Sequence, residues 1–168
     1  TVVNTATSLA VMGKSVLVID MDPQGNATTS FGIDKTKLEN TIYDAIIGDV
    51  SVKKVTIPTF IKNLFIVPSN ISLSGAGVEL SKKENYPPLF DYIFIDLPPS
   101  LGVITVNALV AADSVLIPIQ AEYYALEGVA DLINTINLVK KRLRTPVPIK
   151  GILLTLYDKR TRLSKDVY

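Results

Sequence analysis

The 168 residues include no cysteine and no histidine. Without thiols there is no disulfide framework, no thiolate nucleophile, no iron–sulfur ligation and no thiolate zinc site. Without imidazole the histidine-based acid, base and metal chemistries go too. Long apolar runs are missing as well: nothing approaches the roughly 18 to 20 residues that a helical membrane span requires, so no integral membrane protein is expected. The first residues show no charged n-region, apolar h-region and small-residue cleavage site, and a cytoplasmic protein is the expectation. Nor is there an excess of one charge. Lys and Arg number 17 and Asp and Glu 16, a net +1, which excludes a uniformly basic nucleic-acid binder and an acidic disordered tail. Carboxylates, lysines and hydroxyls remain to carry chemistry.

The charge that is present is unevenly placed. Thr1 to Val139 holds 8 basic and 14 acidic residues, whereas Lys140 to Tyr168 holds 9 basic and 2 acidic, so the last 29 residues carry a local +7. Apolar residues come in short unbroken bursts: Ser15 to Ile19, Leu64 to Val67, Tyr92 to Ile95, Ser114 to Ile117 and Ile149 to Leu156. Bursts without polar alternation predict strands buried on both faces, and segments of helical period between them predict βαβ crossovers. The expected class is α/β, a doubly wound, mostly parallel sheet in one domain over 1–168. Helices are expected at Thr1 to Met12 with Gly13 as its stop, Thr41 to Ile47 followed by Gly48, Gly102 to Ala112, and Tyr124 to Arg144. The last has a stripe of Val129, Leu132, Ile133, Ile136, Val139 and Leu143 and is ended by Pro146. The segment Ser81 to Leu89, with Pro87 and Pro88, reads as a polar, irregular connection that is short for a crossover.

Carboxylates follow two of the bursts. In open parallel sheets the carboxyl ends of the strands face the ligand crevice. Val16 to Ile19 runs into Asp20-Met21-Asp22-Pro23-Gln24-Gly25-Asn26, and Tyr92 to Ile95 runs into Asp96-Leu97-Pro98-Pro99-Ser100-Leu101-Gly102. Strand alternation lets Asp20 and Asp22 point the same way and Asp96 converge on them, an oxygen-donor pocket suited to Mg2+. Each acid taken singly reads equally well as a helix cap or a solvated turn. The chemistry alone leaves open a receiver domain and a phosphatase built on Asp-X-Asp. Pro23 fits the phosphatase poorly, and Gln120, where a receiver needs a late lysine, fits the receiver poorly.

These two stretches, followed by Ile117 to Gly128, resemble in the same order the ParA/Soj branch of the deviant Walker-type ATPases. That branch segregates bacterial chromosomes and plasmids, and the MinD-type division-site ATPases are its near relatives. The Asp-Pro-Gln-Gly-Asn run from Asp22 to Asn26 is the most specific element. The resemblance implies a P-loop NTPase fold and ATP with Mg2+ as cofactors. It implies Asp22 as the catalytic residue that positions the attacking water, and Asp96 as the acid holding the metal shell. Asp20, Gln24, Pro98 and Gly102 would be nucleotide-binding, Asp20 from the pocket edge and Pro98 to Gly102 as a γ-phosphate switch.

The resemblance further implies an ATP-bound homodimer that binds DNA without sequence specificity. Arg160 and Arg162 would contact the DNA, and a ParB-like centromere-binding protein would stimulate hydrolysis in a cytoplasmic, nucleoid-associated setting. The late positive charge fits phosphate binding, although Lys140 and Lys141 read first as a solvated helix end and Tyr123 and Tyr124 as a partly buried helix opening. The family's phosphate cradle, Lys-Gly-Gly-X-Gly-Lys-Thr, would stand immediately ahead of Thr1 and the first strand with it, and further elements would follow Tyr168. A family helix between Glu79 and Phe90 would be shortened. On that expectation the fold is incomplete and the 168 residues alone hydrolyse no ATP. Two alternatives stand beside this reading: a MinD-like membrane-cycling ATPase, and a non-enzymatic interaction module.

Overall fold

The structure, a computed structural model of the chain, describes residues 1–48, 50–75, 90–100, 102–120, 125–143 and 147–157. The expected segment Ser81 to Leu89, the helix stop at Pro146, Tyr123, Tyr124, Arg160 and Arg162 lie outside them.

In chain order the elements are α1 (Val2–Val11), β1 (Val16–Asp20), α2 (Asn26–Ser30), α3 (Ile42–Ile47), α4 (Val52–Val55), β2 (Ile57–Pro58), β3 (Leu64–Val67), β4 (Tyr92–Asp96), α5 (Val103–Ala111), β5 (Val115–Gln120), α6 (Ala125–Leu143) and β6 (Ile149–Thr155). Short 3-10 turns occupy Lys35–Lys37 and Ile71–Gly75. The chain divides into two units, 1–104 and 105–168, and α5 begins in the first and continues in the second.

The first unit is built on a four-stranded sheet in the order β2-β3-β1-β4. β1 runs parallel to both neighbours, with Val16 beside Leu64 on one side and Asp20 beside Asp96 on the other. Because successive strand side chains point to opposite faces, β1 serves two cores. Val16 and Val18 pack with Leu64 and Ile66 against Ala6 and Ala10 of α1 and Ala27 and Phe31 beside them. Leu17 faces the other way, with Val67, onto Ile42 of α3, Val55 of α4 and Leu73. Helices on both faces of a parallel sheet are the doubly wound arrangement the unbroken apolar bursts predict, and β1 and β3 are buried accordingly.

Local chemistry sets the helix ends. Thr41 caps α3: its Oγ1 accepts from the Tyr43 N–H at 3.3 Å, and the Thr41 N–H donates to Asp44 Oδ2 at 2.7 Å, a reciprocal capping box. Gly48, in the left-handed region at φ 90°, closes the helix. β2 was not legible in the sequence. It is two residues long, pairs antiparallel to β3 with Ile57 opposite Ile66, and carries Pro58 at the sheet edge, where a missing N–H does no harm.

The second unit pairs β5 and β6 in parallel. Ile136 and Val139 of α6, with Leu132 and Ile133, pack on Leu109, Val115, Ile117 and Ile149, four residues of the six-residue stripe the helical period predicts. Three strands differ from the expectation of burial on both faces. Leu116 on β5, Ile152 and Leu153 on β6, and Tyr92 and Ile93 on β4 are exposed. An unbroken apolar run reports what a strand can bury; cover by neighbouring elements decides whether it does. No helix among the described residues is long and apolar enough to cross a membrane.

Candidate functional site

The site is assembled where β1 and β4 end side by side. Their parallel register sets Asp20 next to Asp96, and the Met21 N–H donates to the Asp96 backbone carbonyl at 2.8 Å, extending the ladder by one residue. The chain then turns at Asp22. Asp22 Oδ1 accepts from the Gln24 N–H at 2.9 Å, and the Gly25 N–H donates to the Asp22 carbonyl at 2.8 Å, so side chain and backbone together fold the Asp-Pro-Gln-Gly turn.

Gly25 opens α2 in the left-handed region at φ 60°. A Cβ there would lie 2.8 Å from the Ser69 carbonyl oxygen and 2.7 Å from Lys35 Cδ. Glycine is required twice over, by its dihedral and by the close approach of backbone to backbone. The Lys35 ammonium also donates to the Gln24 carbonyl, tying the turn to the following segment.

The three acids take different places. Asp20 is fully buried. Its Oδ2 accepts from both the N–H and the hydroxyl of Thr28, at 2.8 and 2.7 Å, and its Oδ1 accepts from the Asp22 N–H at 3.1 Å. Burial pushes its carboxyl above the usual aspartate value, and the Thr28 bonds oppose that rise. Both oxygens of Asp20 are thus engaged by hydrogen bonds within the protein. Asp96 is half-buried and is pushed up to about 6, by burial first and then by the negative charge of Asp20 and Asp22. A carboxylate held so high beside other negative charge gains most from a cation, and its oxygen donors suit Mg2+, which typically takes only one or two protein carboxylates. No group of three or more acidic residues among the described ones is arranged to hold a metal unaided.

Asp22 and Gln24 line a cavity of about 550 Å³ together with Pro23, Ser74, Pro98, Pro99, Ser100, Gly102, Val103 and Ile104, all in the first unit. The cavity therefore brings together the turn after β1 and the segment after β4, as the strand-end argument predicts. Four of the expected site residues, Asp22, Gln24, Pro98 and Gly102, border it; Asp20 and Asp96, side by side on adjacent strands, do not line it. Sequence reasoning missed Ser74, which reaches the cavity from a 3-10 turn, and Thr28, whose five-residue helix is too short to show a period. The order of elements alone gives no signal for either.

The AAA domain family matches residues 1–149. The chain is 46% identical to the sporulation initiation inhibitor protein Soj of Bacillus subtilis over 99% of its own length and 70% of that protein. It is likewise 46% identical to the chromosome partitioning protein ParA of Myxococcus xanthus, over 99% of its length and 63% of the relative. It spans about two thirds of the length of these relatives. Among solved structures, a cobyrinic acid a,c-diamide synthase from Mycobacterium smegmatis with bound ADP and magnesium superposes with a TM-score of 0.87 at 36% identity. That match covers 96% of this chain and 70% of the other. A cavity bounded by two strand-end carboxylate segments and the sequence matches agree: the chain belongs to the ParA/Soj family of P-loop ATPases.

Proposed function

We propose that the protein is a DNA-segregation ATPase, for chromosome or plasmid partitioning, in which ATP and Mg2+ switch the molecule between a DNA-bound dimer and a free monomer. The observation that carries this reading is a cavity bounded by Asp22 and Gln24 on one side and by Pro98, Pro99, Ser100 and Gly102 on the other. Relatives named Soj and ParA support the partitioning role, and the ADP- and magnesium-bound fold relative supports the nucleotide.

In this reading Asp22 is the catalytic residue. Its Oδ1 is committed to the Gln24 N–H, which fixes the carboxylate plane and leaves the other oxygen to accept a proton from an attacking water. The water oxygen bonds to the γ-phosphorus as the bond to the ADP oxygen breaks, so the protein's contribution is orientation and charge. Bound Mg2+ neutralises phosphate charge, and Asp96 would hold it directly or through a water. Gln24, Pro98 and Gly102 contact nucleotide, and Asp20 supports the pocket through its bond to the Asp22 N–H. Both units belong to one nucleotide-hydrolase domain over 1–168. Arg160 and Arg162, with the +7 of the last 29 residues, contact DNA phosphates, and a ParB-like centromere-binding protein stimulates turnover of the ATP-bound homodimer in a cytoplasmic, nucleoid-associated setting.

The test is Mg2+-dependent ATP hydrolysis by the full-length protein and its Asp22→Ala variant. Loss of roughly 10²-fold or more in kcat with ATP binding retained is the expected result. An Asp22→Ala protein that hydrolyses ATP at the parent rate would remove Asp22 from the chemistry.

A further inference from the structure

We infer that Thr28 is a positioning residue for Asp22, acting through the carboxylate of Asp20. The inference rests on the role proposed above for Asp22 and adds what holds that residue in place.

Thr28 cannot touch a substrate: it is fully buried and does not border the cavity. Its hydroxyl has one proton to give, and gives it to Asp20 Oδ2 at 2.7 Å while accepting the Ser69 N–H at 2.9 Å. The Thr28 N–H donates to the same Asp20 oxygen at 2.8 Å. A carboxylate gripped at one oxygen by two donors on one helix has no freedom left about its last torsion. Its other oxygen is then fixed in space, and that oxygen accepts the Asp22 N–H.

Three elements thus meet at a single carboxylate. β1 supplies Asp20, α2 supplies Thr28, and the segment after β3 supplies the Ser69 N–H that orients the Thr28 hydroxyl. Their joint output is one hydrogen bond to the backbone of Asp22. One residue earlier, the Met21 N–H is held by the Asp96 carbonyl, so successive peptides leading into Asp22 are tied to β4 and to the Thr28–Asp20 pair. Loss of the Thr28 hydroxyl leaves Asp20 Oδ2 with one donor and frees the Ser69 N–H, and the displacement this allows falls on Asp22.

The experiment compares Thr28→Val, Thr28→Ser and Asp22→Ala in the full-length protein. It measures steady-state hydrolysis of Mg2+-ATP and residue-resolved amide exchange over Met21 to Asn26. Thr28→Val is expected to lower kcat by about ten- to a hundredfold, because small misplacements of a catalytic group cost that much. KM should stay within about twofold, because nucleotide contacts are untouched. Exchange at the Asp22 amide should quicken, and Thr28→Ser, which keeps the hydroxyl, should restore both rate and protection.

If Thr28→Val does not fold, Thr28→Cys, whose thiol is a weaker donor than the Thr28→Ser hydroxyl at the same γ position, takes its place with the same expected order. Three results overturn the inference: a parent-like kcat, a fall in kcat matched by global loss of protection, or failure of serine to rescue. A parent-like rate in Asp22→Ala overturns the role of Asp22 itself and the inference with it. An inactive Asp22→Ala beside a fully active Thr28→Val overturns the inference alone.

Discussion

Gly25 shows how narrowly the site is specified by one residue. Its φ of 60° is left-handed, and the space its side chain would need is taken by the Ser69 carbonyl, a backbone atom that cannot swing aside. Gly13 and Gly32 share a positive φ but have open space where a Cβ would stand. Gly25→Ala is therefore expected to destabilise the fold by about 2 to 4 kcal/mol, the left-handed cost plus that of forcing backbone apart. Gly32→Ala should cost only about 1 kcal/mol. Denaturant unfolding of the two variants measures the difference, and equal losses would show that the dihedral alone matters. At this scale the sequence was informative about place: a buried strand running into Asp-X-Asp-Pro-Gln-Gly puts Asp22 and Gln24 at a strand end, where they border the cavity. Thr28 and Ser69 were illegible, because threonine and serine serve everywhere and their use here depends on a contact 41 residues apart in sequence.

At the scale of elements, legibility followed length and burial. β1, β3, β4, β5 and β6 all lie within one or two residues of the apolar bursts at their start, and α1, α3, α5 and α6 follow their helical periods. α2, α4 and β2 span five, four and two residues, too short for a period to register, and are held by tertiary contacts. α3 is intermediate, six residues whose capping box substitutes for length. Thr41 is buried, and the Ile42 N–H next to it donates to the Pro68 carbonyl at 2.9 Å, so the cap also fastens α3 to the end of β3. Thr41→Ala should cost about 1 to 2 kcal/mol. Thr41→Ser, which keeps the capping oxygen, should recover most of it. Thermal unfolding of the pair checks this, and a serine variant as unstable as alanine would assign the loss to packing of the threonine methyl.

For the whole molecule, stability and site chemistry pull in opposite directions, and pH separates them. Asp20 and Asp96 both have carboxyl groups raised above their unfolded value, Asp96 from 3.8 to about 6. Below about pH 4 each is protonated, folded or unfolded, and contributes nothing to pH dependence. Between about pH 4 and 6 the folded chain keeps a proton on Asp96 that the unfolded chain has released, so stability falls as pH rises through this window. Above about 6 Asp96 is ionised in both states and its full cost remains, on the order of 3 kcal/mol at most for a shift of this size. Asp20 acts with the same sign. Asp96→Asn removes the charge without changing shape, so it should gain about 1 to 3 kcal/mol at pH 7.5 and flatten the fall between pH 4 and 6. Mg2+ should stabilise the parent protein at pH 7.5 and leave Asp96→Asn unchanged, because a cation relieves the repulsion that the amide has already abolished. Unfolding curves for the two proteins from pH 4.5 to 8, with and without Mg2+, measure all of this. An Asp96→Asn protein less stable than its parent at pH 7.5, with the same slope below pH 6, would mean that the carboxylate is stabilised where it lies and holds no strain for a metal to relieve.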